Sequence, residues 1–124
     1  MSIPAFSQLI TFLNSQNLDA TRQFYCHLLG LPLVRDQSSC LIFKATQNAY
    51  LGFCEHIERI TPGRRVILTL VSEKVDQWFE ILSNQSVEIV SPPQANHKYG
   101  IYHFFFKDPD KYWIEIQKFD NPLT

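Results

Sequence analysis

The stretch VILTLVSEKVDQWFEIL, residues 66–82, changes its period midway, and that change decides the fold. Residues 66–71 form an unbroken β-prone run. Ser72 then offers a helix cap, and Val75, Trp78, Phe79 and Leu82 follow at i, i+3, i+4 and i+7, one apolar stripe on an amphipathic helix. Working outward toward the C-terminus, residues 87–90 read as a short strand and 91–96, with two prolines, as a loop. Residues 101–106 and 112–119 read as strands joined by the turn Asp108-Pro109-Asp110-Lys111.

Working outward the other way, the same order appears once more. QLITFL (residues 8–13) is a strand, 14–17 a turn, and Asn17 caps a helix with Asp19 in its first turn. Thr21, Phe24, Tyr25, Leu28 and Leu29 share that helix's apolar face, and Gly30 stops it. Strands follow over 31–35, 39–44 and 49–55, separated by turn-prone 36–38 and 46–48. The segment 57–64 is polar and carries Pro62-Gly63, a loop signature. Strand, helix and three strands are therefore written twice, and each copy alone would leave an apolar face bare. Two helices are too few to cover a long doubly wound parallel sheet.

A chain of 124 residues has the size of one domain, and 45% hydrophobic content supplies a core. A formal net charge of -1 gives no general attraction to nucleic acid or to an anionic membrane, so neither partner is expected. No apolar run approaches the ~20 residues needed to cross a bilayer, and residues 1–8 show no secretory signal. Cys26, Cys40 and Cys54 are odd in number, widely spaced and without a C-x-x-C pair. That pattern suits a reducing, cytoplasmic setting with cysteines as small core residues rather than a disulfide framework or a structural zinc site.

NLDATRQFY (residues 17–25), followed by Leu28-Leu29-Gly30-Leu31, resembles the opening helix of the vicinal oxygen chelate (glyoxalase/bleomycin resistance/dioxygenase) superfamily. DPDKYWIE (residues 108–115) resembles its DPDG turn and final strand, with Lys111 in the place of glycine and so at positive φ. The resemblance covers nearly the whole chain. It implies an α+β fold: one domain, 1–124, of two βαβββ modules, about 5–56 and about 64–119, forming paired four-stranded sheets around a cavity. It also implies a homodimer. Its members include glyoxalase I, extradiol dioxygenases, transferases, epimerases and antibiotic-sequestering proteins, so fold alone does not fix the chemistry.

Family enzymes hold a divalent metal at positions that fall here on Ile10, Gly52, Val66 and Glu115. Only Glu115 offers a lone pair, and a catalytic metal usually has about three protein ligands. Gln8, on the same strand face as Ile10, is the nearest substitute. The expectation is that no cofactor is bound, Glu115 acting as a ligand only if a metal is present. A divalent metal on His103, Glu115 and a cysteine stays as an open alternative.

With Glu115 facing the cavity, strand alternation turns Trp113 and Gln117 the same way, and the family's spacing from the DPD turn implies Ile101, His103 and Phe105 on that side of the preceding strand. In the first half the cavity wall is Ile10 and Phe12, Cys40 and Ile42, then Tyr50, Gly52 and Cys54; Val66 and Leu68 complete it. Gly52 leaves room for a ligand beside Cys54, and residues 92–98 form a lid. An apolar cup with few polar groups is what a small-molecule site looks like. His103 and Glu115 are the candidate catalytic pair, Glu115 orienting the imidazole for acid/base work in a lyase, transferase or isomerase type of reaction. The competing reading makes them a structural carboxylate and a hydrogen-bonded wall residue around a bound, unreacted molecule, and a third leaves a degenerate domain that serves only in assembly.

Overall fold

The computed structural model describes residues 2–60 and 63–124, so Pro62 of the expected loop lies outside the described residues. The chain divides into two compact units, Met1–Ile60 and Thr61–Thr124.

The first unit runs β1 (Leu9–Asn14), α1 (Leu18–Arg22), β2 (Leu33–Asp36), β3 (Cys40–Thr46) and β4 (Ala49–Cys54). Its sheet has the order β1-β4-β3-β2, with β1 parallel to β4 and the other pairs antiparallel. Asn17 caps α1, its side chain accepting from the Ala20 N–H at 3.0 Å. The helix does not continue as expected: Gln23–Leu28 is π-helical, with Leu29 N–H donating to the Phe24 carbonyl at 3.0 Å. Gly30, at φ +75°, then ends it. Tyr25 from this wide turn is fully buried, stacks on Phe53 with centroids 4.5 Å apart and lies 5.8 Å from Phe43. Leu41, Phe43, Leu51 and Phe53 form the helix-facing side of the sheet, each buried. Full burial of such side chains contributes roughly 1.5–3 kcal/mol apiece.

The second unit runs β5 (Gly63–Val71), α2 (Val75–Ser83), β6 (Glu88–Ile89), β7 (Gln94–Asn96), β8 (Ile101–Lys107) and β9 (Tyr112–Phe119). Its order is β5-β9-β8-β6, with β5 parallel to β9 and β7 pairing with β8 as a fifth strand, where four were expected. Ser72 does not cap α2 as expected; Lys74 is the cap residue, and the Ser72 hydroxyl accepts from its N–H at 3.0 Å. Val75 and Leu82 of the apolar stripe are buried, and Phe79 meets Phe104 edge-on at 5.4 Å. Tyr102 donates to Asp76 at 2.5 Å, tying α2 to β8; that hydrogen bond raises the phenol's pKa.

The β8–β9 turn is built by Asp108, whose Oδ1 accepts from the N–H groups of Asp110 and Tyr112, each at 2.9 Å. Lys111 sits at φ +71°, the left-handed conformation that glycine takes at no steric cost. Lys111→Gly is therefore expected to raise the unfolding free energy by up to about 1 kcal/mol. The loss of an exposed ion pair to Glu88, 3.0 Å away, reduces that gain. Denaturant unfolding of the two proteins checks it.

Candidate functional site

In the second unit, the register lays three rows of side chains across the face opposite α2. Thr69, Glu115 and Phe105 form the central row, flanked by Val71, Gln117 and His103 on one side and Ile67, Trp113 and Lys107 on the other. Leu68 pairs with Ile114, which packs on the α2 side, so Leu68 and Val66 do not face Glu115 as expected. Ile67 and Thr69 do. The run 66–71 is β-prone at every position, and its one polar residue, Thr69, was the only sign of which parity faces the polar groups.

Glu115 is buried, at 8% exposure, and its carboxylate gathers three donors. Thr69 Oγ1 donates to Oε1 at 2.8 Å, and His103 Nδ1 lies 2.6 Å from Oε2. Gln117, with its amide nitrogen turned to the carboxylate, donates to the two oxygens at 3.2 and 3.0 Å. A carboxylate out of water needs such partners, since an unpaired one carries a large desolvation penalty. The contact fixes the proton of the neutral imidazole on Nδ1, which leaves Nε2 as a lone-pair acceptor. No other hydrogen bond to the His103 side chain occurs among the described residues.

Aromatic rings border this polar group. Phe105 stands edge-on to His103 at 5.2 Å and to Trp113 at 5.3 Å, while Lys107 lies over the Trp113 ring at 5.6 Å. Lys107 is itself paired with Glu88 at 2.9 Å; Lys107, then Lys111, holds the Glu88 carboxyl below its ordinary range. Residues 92–98 are not the free lid expected of them: Gln94, Ala95 and Asn96 pair with His103, Tyr102 and Ile101. Two prolines hid this strand, because proline lacks a ladder donor and argues against sheet.

Thr69→Val keeps the side chain's shape and removes one donor from Glu115. The expected cost is about 1–2 kcal/mol, read from urea unfolding. An unchanged midpoint would mean that Thr69 contributes nothing to holding the carboxylate.

In the first unit, Ile10, Phe12, Cys40, Ile42, Gly52 and Cys54 share the face opposite the helical segment. The room expected over Gly52 is filled, since a Cβ built there would collide with the Phe12 ring. Phe12, Gly52 and Ile42 form the row that corresponds to Thr69, Glu115 and Phe105. The repeat is therefore chemically unequal: a ring packed over glycine in one copy, a clamped carboxylate in the other. Gln8 donates to the Tyr50 hydroxyl at 3.1 Å.

Cys40 and Cys54 are not separate thiols, as spacing had suggested, but a disulfide between paired strands; Cys26 is free. Sequence distance concealed what the β3–β4 register brings together. His56 Nδ1 lies 3.9 Å from Cys40 Sγ, a neighbour that no motif announced.

The positions expected to hold a family metal present Ile10 and Gly52 in the first unit, and Ile67 and Glu115 in the second. Ile67, paired with Trp113 as Ile10 is with Tyr50, replaces Val66 in that comparison.

Known proteins place the chain clearly. The family model described as Glyoxalase/Bleomycin resistance protein/Dioxygenase superfamily matches residues 7–116. A glyoxalase/bleomycin resistance protein/dioxygenase from Nocardioides is similar in structure, with TM-score 0.76 at 18% identity over 95% of this chain and 86% of that one. A lactoylglutathione lyase from Agrobacterium tumefaciens superposes with TM-score 0.73 at 19% identity, over 94% of this chain and 95% of that one. A family protein from Alicyclobacillus acidocaldarius gives 0.72 at 15% identity over 92% of both chains. No curated protein matches the chain. The mixed α+β architecture of two sheets and few helices is that of these structures.

Proposed function

The chain belongs to the glyoxalase/bleomycin resistance protein/dioxygenase superfamily, and we propose that it binds a small organic molecule there without the divalent metal the family often holds. One observation carries this reading: a buried carboxylate, Glu115, saturated by Thr69, His103 and Gln117 and bordered by Phe105 and Trp113. Aromatic rings around a few fixed polar groups suit an aromatic or amphipathic ligand. The Nε2 edge of His103 supplies its hydrogen-bonding point. Isoleucine and glycine provide no lone pair, so the residues at the family's metal positions do not fit a divalent ion. Metal-dependent lactoylglutathione lyase chemistry is accordingly not proposed, despite the likeness to the Agrobacterium tumefaciens enzyme.

The second reading rests on the 2.6 Å contact between His103 and Glu115. In it, Glu115 orients the imidazole, and Nε2 takes a proton from a bound substrate as a general base. Thermal shift against aromatic and amphipathic compounds, with chelator present, separates the readings. Binding without turnover, lost in Trp113→Ala, is the expected result. Turnover that falls at least a hundredfold in Glu115→Gln would favour catalysis, and a ligand response needing added metal would overturn the proposal.

A homodimer and a cytoplasmic location belong to the same reading. Leu9, Ile10 and Phe12 on edge strand β1 leave apolar surface exposed, which a second copy would cover. In the cytoplasm the Cys40–Cys54 pair would stand reduced. No helix among the described residues is long and apolar enough to cross a membrane. Sedimentation at two concentrations is expected to show a dimer, and a monomer at high concentration would remove that element.

A further inference from the structure

We propose that, once reduced, the protein binds one zinc-class cation through Cys40 Sγ, Cys54 Sγ and His56 Nδ1, and that joining the two sulfurs releases it. The three donor atoms lie within 4.8 Å of one another, all in the first unit, and none belongs to a residue that holds Glu115.

The backbone brings them together. Glu55 N–H donates to the Ser39 carbonyl at 3.0 Å, so residues 39 and 55 form the hydrogen-bonded pair. Cys40 and Cys54 are then the next, non-hydrogen-bonded pair, in which facing side chains approach most closely. Both sulfurs are on one face of the sheet, and both residues are buried. His56 follows in the turn after β4. Asn14, itself buried, holds that turn, its side-chain amide donating to the Ile57 carbonyl at 2.8 Å and more weakly to Cys54 and Glu55 at 3.4 and 3.3 Å. This places the exposed His56 ring over the sulfurs, with Nδ1 at 3.9 Å from Cys40.

Two thiolates and an imidazole are a soft donor set that favours zinc over magnesium or calcium. Tetrahedral zinc, with bonds of about 2.3 Å to sulfur and about 2.0 Å to nitrogen, holds its ligand atoms roughly 3.5–3.8 Å apart. The His56–Cys40 separation is already near that value. The sulfurs reach it when their bond is cut and each side chain turns about its Cα–Cβ bond. Water takes the fourth position on the exposed side of His56.

The redox step balances with a named partner. A dithiol gives two electrons and two protons to the Cys40–Cys54 bond, leaving two thiols and becoming a disulfide itself. Metal binding then expels the two thiol protons. In the reverse direction, a disulfide oxidant takes up two electrons from the thiolates, the two sulfurs join, and the ion leaves.

Cobalt(II) is the probe, because its thiolate charge-transfer and d–d absorption report both ligand type and geometry. Protein reduced with a phosphine, which is not a thiol, is titrated anaerobically with cobalt and then with zinc. Expected are one cobalt per chain with thiolate charge transfer, its displacement by one equivalent of zinc, and no such band in the oxidised protein. His56→Ala, at an exposed side chain, is expected to weaken cobalt at least tenfold, and Cys40→Ser to remove most of the charge-transfer intensity. If reduction unfolds the chain, refolding on stoichiometric zinc supports the site, and failure to refold counts against it. Reduced, folded protein without thiolate–cobalt absorption overturns the proposal, as does equal affinity in His56→Ala or in the oxidised form.

Discussion

Phe53→Ala is expected to lower the unfolding free energy by about 3–5 kcal/mol, the range for losing a large ring from a closed core. Phe53 has no exposed surface, stacks on Tyr25 at 4.5 Å and meets Phe43 at 6.1 Å. Tyr25 reaches it from the π-helical turn. Calorimetry or guanidinium unfolding reads the loss. A change below 1 kcal/mol would mean that the sheet and the π turn are not packed as described.

Glu115→Ala is the second large effect, expected at about 3 kcal/mol together with loss of ligand response. Removing one partner of a buried pair leaves the others stranded. Here the imidazole N–H, the Thr69 hydroxyl and the Gln117 amide would all lose their common acceptor. Glu115→Gln keeps the volume and one carbonyl oxygen, but its amide donors face other donors, so an intermediate loss is expected. If both variants unfold with the wild type, the carboxylate is not the centre of the cluster, and the functional proposal loses its basis.

Much of this was legible in the sequence because periodicity reports what is local. The apolar stripe at Val75, Trp78, Phe79 and Leu82 gave α2, Asn17 gave the start of α1, and the Asp108 turn was read down to positive φ at Lys111. Alternation put Trp113 and Gln117 on the face of Glu115, and the resemblance's spacing from the Asp108 turn added His103 and Phe105. What escaped depended on register between distant strands. The parity of β5 is hidden in a run without apolar–polar contrast, which conceals Thr69 and points instead to Val66 and Leu68. The Cys40–Cys54 pairing, and Phe12 lying over Gly52, follow from the partners of β4, which no local pattern encodes. The π-helical turn over Gln23–Leu28 has no counterpart in residue spacing either.

The most direct test is nitrogen NMR of the His103 side chain, with histidine labelled and chelator present, during titration with a compound found by thermal shift. Expected is a protonated Nδ1 that stays bound to Glu115 throughout, while the Nε2 resonance moves to saturation with the ligand. Saturating ligand that leaves both His103 signals unmoved, or that binds only after a divalent metal is restored, would contradict it.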